Sequence, residues 1–401
     1  MEKVLLLGGS YTLLPIIKRA HQYGWYVITM DYFPDNLAHK YSDEFANISV
    51  IDKEAVLAFA EKTKIKAISS FGCDAGAVSA AYVAEKMGLP YVCSYEAACI
   101  LQDKALFRSF LRDHNFNVPY AKGFSSKDEA LHNITELKCP VIVKPVDSAG
   151  SKGVSRCDSK DELEAAIDSA LANTHSNAFI IEEFLEKEGP SSGSETFFQD
   201  GIACFNGVYD QFFDSTAPNP FVPAAECWPS THNKSTQDIV YAELNRLASL
   251  LHIRTGLMNV EWRVSNGKPY LMEVTPRAGG NRLAEMLSIA TDVDIVDAEV
   301  RQILGMTLPK VHEPIYKGYF ANLVIHSHIT GILSHVEIDA DFRKKHLIEE
   351  DLWVKKGEHI DAWTGGNHSI GILFLRFVSC AEMMRCLEHA NSLYMVKVVE
   401  N

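Results

Sequence analysis

The stretch that decides the fold runs Gly256-Leu257-Met258-Asn259-Val260-Glu261-Trp262-Arg263-Val264, then Ser265-Asn266-Gly267-Lys268, then Pro269-Tyr270-Leu271-Met272-Glu273-Val274-Thr275-Pro276-Arg277. In its first half Met258, Val260, Trp262 and Val264 alternate with Asn259, Glu261 and Arg263. In its second half Tyr270, Met272 and Val274 alternate with Leu271, Glu273 and Thr275. A period of two marks a strand, and Asn266-Gly267 is a hairpin turn signal. The loop length sets the faces. A two-residue loop puts Glu261 and Glu273 on opposite faces. A three-residue loop, Ser265-Asn266-Gly267 with Gly267 left-handed, puts both on one face and the even-numbered apolar residues on the other. The three-residue loop is the expectation.

Two carboxylates sharing a polar face repel unless a cation sits between them. Hard oxygen ligands suit Mg²⁺, which usually brings phosphate oxygens as further ligands. Arg277 at the strand end can hold an anion by two parallel hydrogen bonds. The plain alternative is a solvated sheet face with decorative charges. The run Pro276-Arg277-Ala278-Gly279-Gly280-Asn281 favours a site, because the adjacent glycines Gly279 and Gly280 mark a backbone that something approaches closely.

At 401 residues the chain is long enough for two or three domains of about 150 residues each. A net charge of −14 disfavours a nucleic-acid backbone as partner. The cysteines number nine, an odd count, and no CxxC pair occurs. They read as thiols in a reducing compartment. The opening Met1-Glu2-Lys3-Val4-Leu5-Leu6-Leu7-Gly8 reads as a buried strand with no cleavage pattern. No apolar run approaches the ~20 residues of a membrane span. A cytoplasmic protein is expected.

Residues 1 to about 95 alternate strands (Val4 to Leu7, Tyr26 to Met30, Ala67 to Ser70, Leu89 to Val92) with helices over Leu13 to Tyr23 and from Asp74 to about Met87. This rhythm implies a doubly wound parallel sheet. Asp31 could pose as a ribose ligand, but Gly8-Gly9-Ser10 is not GxGxxG. A helix over 103–116 leads into a small α+β unit at about 121–185. Residues 189–194 read as a surface loop, 196–206 as strand-like, 214–237 as a long loop without period, and 238–251 as a helix. Loops as long as 214–237 are usually lids or binding loops. The tail from about 318 carries short strands and a helix near Ala381 to Ala390.

Strand Val141-Ile142-Val143-Lys144-Pro145 feeds Val146-Asp147-Ser148-Ala149-Gly150-Ser151-Lys152-Gly153-Val154. Glycines free backbone N–H groups to form an anion nest, and lysine adds a mobile positive charge. The spacing is not that of a Walker A loop, and a plain turn is the bland alternative. His326 and His328 in Ile325-His326-Ser327-His328 have metal-like spacing, but with no neighbouring acidic or cysteine partner they read as structural. The five tryptophans read as packing, with Trp228 in the long loop a candidate for the cleft wall. Cys73 reads as buried.

In order along the chain, these motifs resemble the ATP-grasp superfamily of carboxylate–amine ligases, in its amino-acid ligase and biotin carboxylase-like branch. The resemblance starts at Asp103-Lys104-Ala105-Leu106-Phe107-Arg108 and spans most of the chain. It implies an N-terminal doubly wound parallel-sheet (pre-ATP-grasp) domain over 1–100. A two-lobed ATP-grasp fold over 101–310 follows, with a small lobe at about 121–185 and a central lobe at about 190–310. A small β-rich C-terminal domain would cover 311–401. The implied cofactors are ATP and Mg²⁺, with Mn²⁺ an alternative. By resemblance Lys104 and Lys144 reach the phosphates, and the 147–153 loop, with Ser148, Gly150, Ser151 and Gly153, closes over them. Glu182 takes the adenine amine, while the main chain at Glu183 and Leu185 reads the ring edge. Glu195 binds ribose, and Glu261 and Glu273 hold the metal. Arg277 is the arginine of the Glu-x-Asn-Pro-Arg signature, with Gly279 and Gly280 beside the substrate. Where the family usually has Asn, this chain has Thr275, whose hydroxyl is a poorer metal ligand.

The resemblance implies that a substrate carboxylate attacks the γ-phosphate to give an acylphosphate, which an amine then converts to an amide. Lys144 and Arg277 would help neutralise charge. Residues 150–153 and 214–237 are the candidate lids. The implied partners are a small-molecule carboxylate and an amine, with no nucleic acid or membrane, and possibly a second copy in a homodimer. The alternatives are a ligase of purine precursors and a nucleotide-binding protein without ligase chemistry. A purine-precursor ligase would need a second phosphate site, and no basic cluster in 1–100 supplies one.

Overall fold

A computed structural model describes residues 1–134 and 138–399. The N-terminal part folds round a four-stranded parallel sheet, ordered Glu44–Ala46, Tyr26–Met30, Lys3–Leu7, Ala67–Ser69. Helices Leu14–Gln22 and Asp74–Met87 stand where the pattern predicts, the second ending at left-handed Gly88. The strand expected at Leu89 to Val92 does not form. Pro90 has no N–H for a ladder, and the Val92 carbonyl instead accepts from Arg254 N at 2.7 Å. Glu44–Ala46 takes its place in the sheet, three residues too short to show a period.

The second sheet is antiparallel and runs Ala121–Phe124, Phe179–Glu183, Val141–Pro145, Ser155–Cys157. Helix Leu163–Leu171 buries Leu163, Ala166, Ile167 and Ala170 in its core.

The largest sheet has eight strands: Lys268–Thr275, Gly256–Ser265, Ser191–Gln199, Ile202–Phe213, Pro223–Trp228, Tyr319–Ile325, Gly371–Phe377 and Leu347–Leu352. Three expectations fail here. Residues 191–194 lie in a buried strand rather than a surface loop. The strand-like 196–206 resolves into two long strands joined at Asp200-Gly201, whose φ values of 52° and 83° make a tight hairpin. The supposed long loop contains strand Pro223–Trp228, and helix Lys234–Leu250 starts inside it, capped by Asn233. That strand escaped notice because five of its six residues are buried and leave no alternation. Strands from beyond residue 310 divide between two sheets. Three extend the large one, and His359–Ile360, Gly331–Ile338 and Tyr394–Val399 form a separate small sheet.

The central hairpin corrects the expected loop. Only Asn266-Gly267 turns the chain, with φ of 49° and 69°, and Ser265 pairs with Lys268. Trp262 faces Leu271, then the register shifts, so that Glu261 faces Glu273 and Asn259 faces Thr275. Met272 is the extra residue of this bulge. It does what a third loop residue would have done and brings the two carboxylates together. It also re-sorts the apolar residues: Leu271 and Val274 join Val260 and Trp262 in the core, while Tyr270 and Met272 are only half-buried.

No helix among the described residues is long and apolar enough to cross a membrane. The nine cysteines are free.

Two features of this packing give testable outcomes. Gly193 stands opposite Glu261 on the neighbouring strand, and a Cβ there would lie 2.6 Å from the Val260 carbonyl oxygen and against the Tyr209 ring. Gly193→Ala is expected to cost about 1–3 kcal/mol, read as a lower denaturant midpoint with unchanged slope. Glu299, on helix Ile295–Ile303, accepts the Leu257 N–H at 2.8 Å, and burial pushes its carboxyl up to about 8. Its folded pKa lies above its unfolded one, so its contribution is full at acid pH and is lost as pH rises towards 8. Stability should fall by ~1.4 kcal/mol per pH unit from this group between roughly pH 5 and 8. Glu299→Gln, which resembles the protonated acid, should remove that part of the slope in unfolding curves taken across the range.

Candidate active site

The site begins with the bulged hairpin. Glu261 and Glu273 face each other on the paired strands and line a cleft of about 450 Å³ that the Ser148–Lys152 turn also lines. Burial raises Glu261 to about 7, and the charge of Glu273 adds to the rise. Burial acts on Glu273 in the same direction, but Lys104 and Arg277 outweigh it and hold its carboxyl below the usual range. One carboxylate is thus ionised while the other holds its proton up to neutral pH, as like charges at close quarters require. A divalent cation between them would let both ionise.

The cations come from two elements. Lys104 opens helix Lys104–Asp113, capped by Asp103. Its Nζ lies 3.7 Å from Glu273 Oε2 and donates to the Ser148 carbonyl at 2.9 Å. Lys144, on strand Val141–Pro145, donates to Glu182 at 2.5 Å. Burial brings Lys144 down to about 8 against the pull of Glu182. Glu182 also accepts from Arg108 Nε at 2.9 Å. Its buried position alone would raise its pKa, yet Arg108 and Lys144 bring it down to about 2. The Glu182 carboxylate therefore serves these two cations first, leaving only its remaining lone pairs for an adenine amine.

Lys104, Lys144, Ser148, Gly150, Ser151, Glu182, Glu261 and Glu273 all line the cleft. Gly153 closes the turn behind it, left-handed like Gly150 and packed against Asn173 and Pro145. At the hinge, Phe184 and Glu186 face the cleft rather than Glu183 and Leu185. The Glu183 N–H is spent on Tyr120 O, and the Leu185 carbonyl on Arg263.

Four expected residues do other work. Glu195 is fully buried and accepts from Gly279 N at 2.9 Å and Asn259 Nδ2 at 2.7 Å. Burial lifts its carboxyl to about 7. It clamps the backbone after the hairpin and is not open to a ribose. Gly279 is small because Glu195 and Leu283 crowd it, so its neighbour is the protein and not a substrate, whereas Gly280 has open space around it. Thr275 Oγ1 is buried and donates to the Asn259 carbonyl at 3.4 Å. The Arg277 fork is already held by Asp74 of helix Asp74–Met87 (Nε–Oδ1 2.7 Å) and by the Ala278 carbonyl. It reaches the carboxylates through its charge.

Arg108, Asp74 and Asn219 carry no individual role in the sequence pattern. Arg108 lies four residues after Lys104 and so on the same helix face, a signal that was there to be used. Its Nη1 donates to Met272 O and pins the bulge. Asn219 Nδ2 donates to the carbonyls of Ser151 and Thr364, and Ser151 Oγ to Phe221 O, which together clasp the glycine turn. Nothing local in the sequence joins positions so far apart.

Residues 137–285 match the ATP-grasp domain family. The C-terminal section of the carbamoyl phosphate synthase large chain from Aquifex aeolicus is 24% identical over 221 residues, 54% of this chain and 40% of that protein, so the chain aligns with less than half the length of this curated relative. Among solved structures, the L-amino acid ligase of Bacillus licheniformis superposes with a TM-score of 0.80 at 18% identity, covering 100% of this chain and 99% of that one. The biotin carboxylase domain of Hydrogenobacter thermophilus 2-oxoglutarate carboxylase, solved with MgADP and bicarbonate, gives 0.75 at 17%, covering 100% and 91%. At such identities the structural likeness shows the fold. The family match thus covers residues 137–285 as an ATP-grasp domain, and the fold of the whole chain is shared with these structures.

Proposed function

We propose that this protein is an ATP-dependent carboxylate–amine ligase that joins an amino acid or a similar small carboxylate to an amine, releasing ADP and phosphate. The observation that carries the reading is the opposed Glu261–Glu273 pair facing a cleft that also holds Lys104, Lys144 and the glycine turn. The donor set is hard oxygen and suits Mg²⁺ with phosphate oxygens. Mg²⁺ bound there would supply charge neutralisation.

The chain's own residues supply the rest. Lys104 and Lys144 place positive charge beside the position of the transferred phosphoryl group, which matters because one anion must attack another. Arg277 lowers the pKa of both glutamates from behind and keeps them ready to ionise. The substrate carboxylate oxygen attacks the γ-phosphorus and the bond to ADP breaks. The amine nitrogen then attacks the acyl carbon, phosphate leaves with the bonding pair, and the nitrogen loses a proton. The clasp of Asn219 and Phe221 on Ser151 holds the glycine turn in place, and a turn so held would help keep water from the acylphosphate.

The decisive experiment is phosphate release from ATP and Mg²⁺ against amino acids, singly and in pairs. Release that depends on one carboxylate and one amine together establishes the ligase. ATP binding, seen as a thermal shift, without release from any amino-acid or non-amino-acid carboxylate overturns it and leaves a nucleotide-binding protein.

Glu273→Gln is expected to lower kcat by about 10²-fold or more, with the folded state retained by thermal melting. Full activity in that variant excludes Glu273 from metal binding. Glu195→Gln, by contrast, should retain the KM for ATP within about twofold, because a side chain sealed against Gly279 makes no ribose contact. A large rise in that KM would restore the ribose role.

A further inference from the structure

A second cluster lies apart from the ATP cleft. Strand Tyr319–Ile325 ends just before His326 and His328, and strand Ile202–Phe213 ends just before Asp214. These exits converge. Asp214 Oδ2 lies 3.1 Å from His326 Nε2 and 2.6 Å from His328 Nε2, and one donor atom from each residue falls within 4.8 Å of the others. Asp214 and His326 are buried, while the His328 side chain is 43% exposed and gives a path to solvent.

The hydrogen bonds around the cluster decide what it can hold. His326 Nδ1 lies 2.9 Å from the Val324 carbonyl, which accepts a hydrogen bond from that nitrogen in the tautomer that leaves Nε2 free. Tyr394 Oη stands 3.0 Å from the same nitrogen. With the ring proton on Nδ1, Nε2 turns its lone pair towards Asp214 Oδ2, 3.1 Å away, so that one cation between them would be bound by both. The other Asp214 oxygen is saturated by Thr216, from N at 2.9 Å and Oγ1 at 2.6 Å. Trp363 stacks on the His326 ring with centroids 4.7 Å apart. Outer partners of this sort fix the tautomer and orientation of metal-binding side chains.

We propose that Asp214, His326 and His328 form a binding site for one borderline divalent transition ion, of which Zn²⁺ is the type. Two imidazoles and one carboxylate leave a coordination position on the exposed side, the arrangement such ions accept. The imidazoles discriminate against Mg²⁺, which prefers all-oxygen sites. The ion would tie the loop after Phe213, which carries Asn219 and Phe221 to the glycine turn, to the end of strand Tyr319–Ile325. The proposal stands whether or not the protein is a ligase.

The test uses the full chain stripped with chelator and kept in millimolar Mg²⁺ with ADP, so that the glutamate pair is occupied. Titration with Zn²⁺ by calorimetry should show one equivalent bound, and Co²⁺ should give visible ligand-field absorption of a four-coordinate site. His328→Ala removes an exposed ligand and should fold. It is expected to weaken Zn²⁺ binding at least tenfold and to abolish the Co²⁺ bands. Asp214→Asn should do the same where it folds. Absence of Zn²⁺ binding by the unaltered chain, or binding and Co²⁺ spectra unchanged in His328→Ala, would show that the cluster is a hydrogen-bonded triad only.

Discussion

Two carboxylates placed opposite each other on paired strands, partly withdrawn from water, repel with an energy that the rest of the fold must absorb. Here the repulsion is shared out. Glu273 is held ionised by Lys104 and Arg277, and Glu261 keeps a proton to about neutral pH. Everything around the pair manages charge in the same way. Lys144 and Arg108 share Glu182, and Arg277 leans on Asp74. A buried charge is tolerable only when paired and hydrogen-bonded, so each of these cations is anchored before any ligand arrives. The cost of assembling positive charge is met in folding, and the cleft is pre-organised for an anion.

The same pairs stitch the molecule together. Arg108 reaches from its helix to Glu182 on the second sheet and to the Met272 carbonyl on the large one. Asp74 brings the N-terminal sheet's helix to the end of the hairpin through Arg277. Glu195 fixes the backbone between them by accepting from Gly279. Loss of any one partner would leave an unpaired buried charge and let the carboxylate pair drift, so geometry for chemistry and cohesion between layers depend on the same contacts.

Much of this was legible from particular residues. The alternation on both sides of Asn266-Gly267 identified the hairpin and its two glutamates, and Lys144 with the glycine turn identified the facing wall. The loop length was misjudged, yet the two carboxylates still met, because the bulge at Met272 adds the residue that the turn lacks. A bulge leaves no trace in a period-two pattern, and here it is stabilised by Arg108, a contact 164 positions away. Only the resemblance gives Glu195 to a ribose, and the pairing of Ser191–Gln199 between two other strands, which no local pattern reveals, seals its side chain in the protein. The strand Pro223–Trp228 was hidden by burial on both faces, which erases alternation.

His326 and His328 show the same limit most sharply. Their spacing was visible, but a metal reading failed for want of an acid nearby in sequence. The acid is Asp214, 112 residues away, delivered by strand Ile202–Phe213, of which the sequence pattern shows only the part up to about 206. Physical chemistry separates the two clusters once the fold has assembled them. The glutamate pair offers only oxygen donors, which favours a small hard ion. The histidine cluster offers nitrogen with a single carboxylate and an orienting outer shell, which favours a borderline ion that binds nitrogen strongly. The two proposed sites would therefore take different ions and not compete for one.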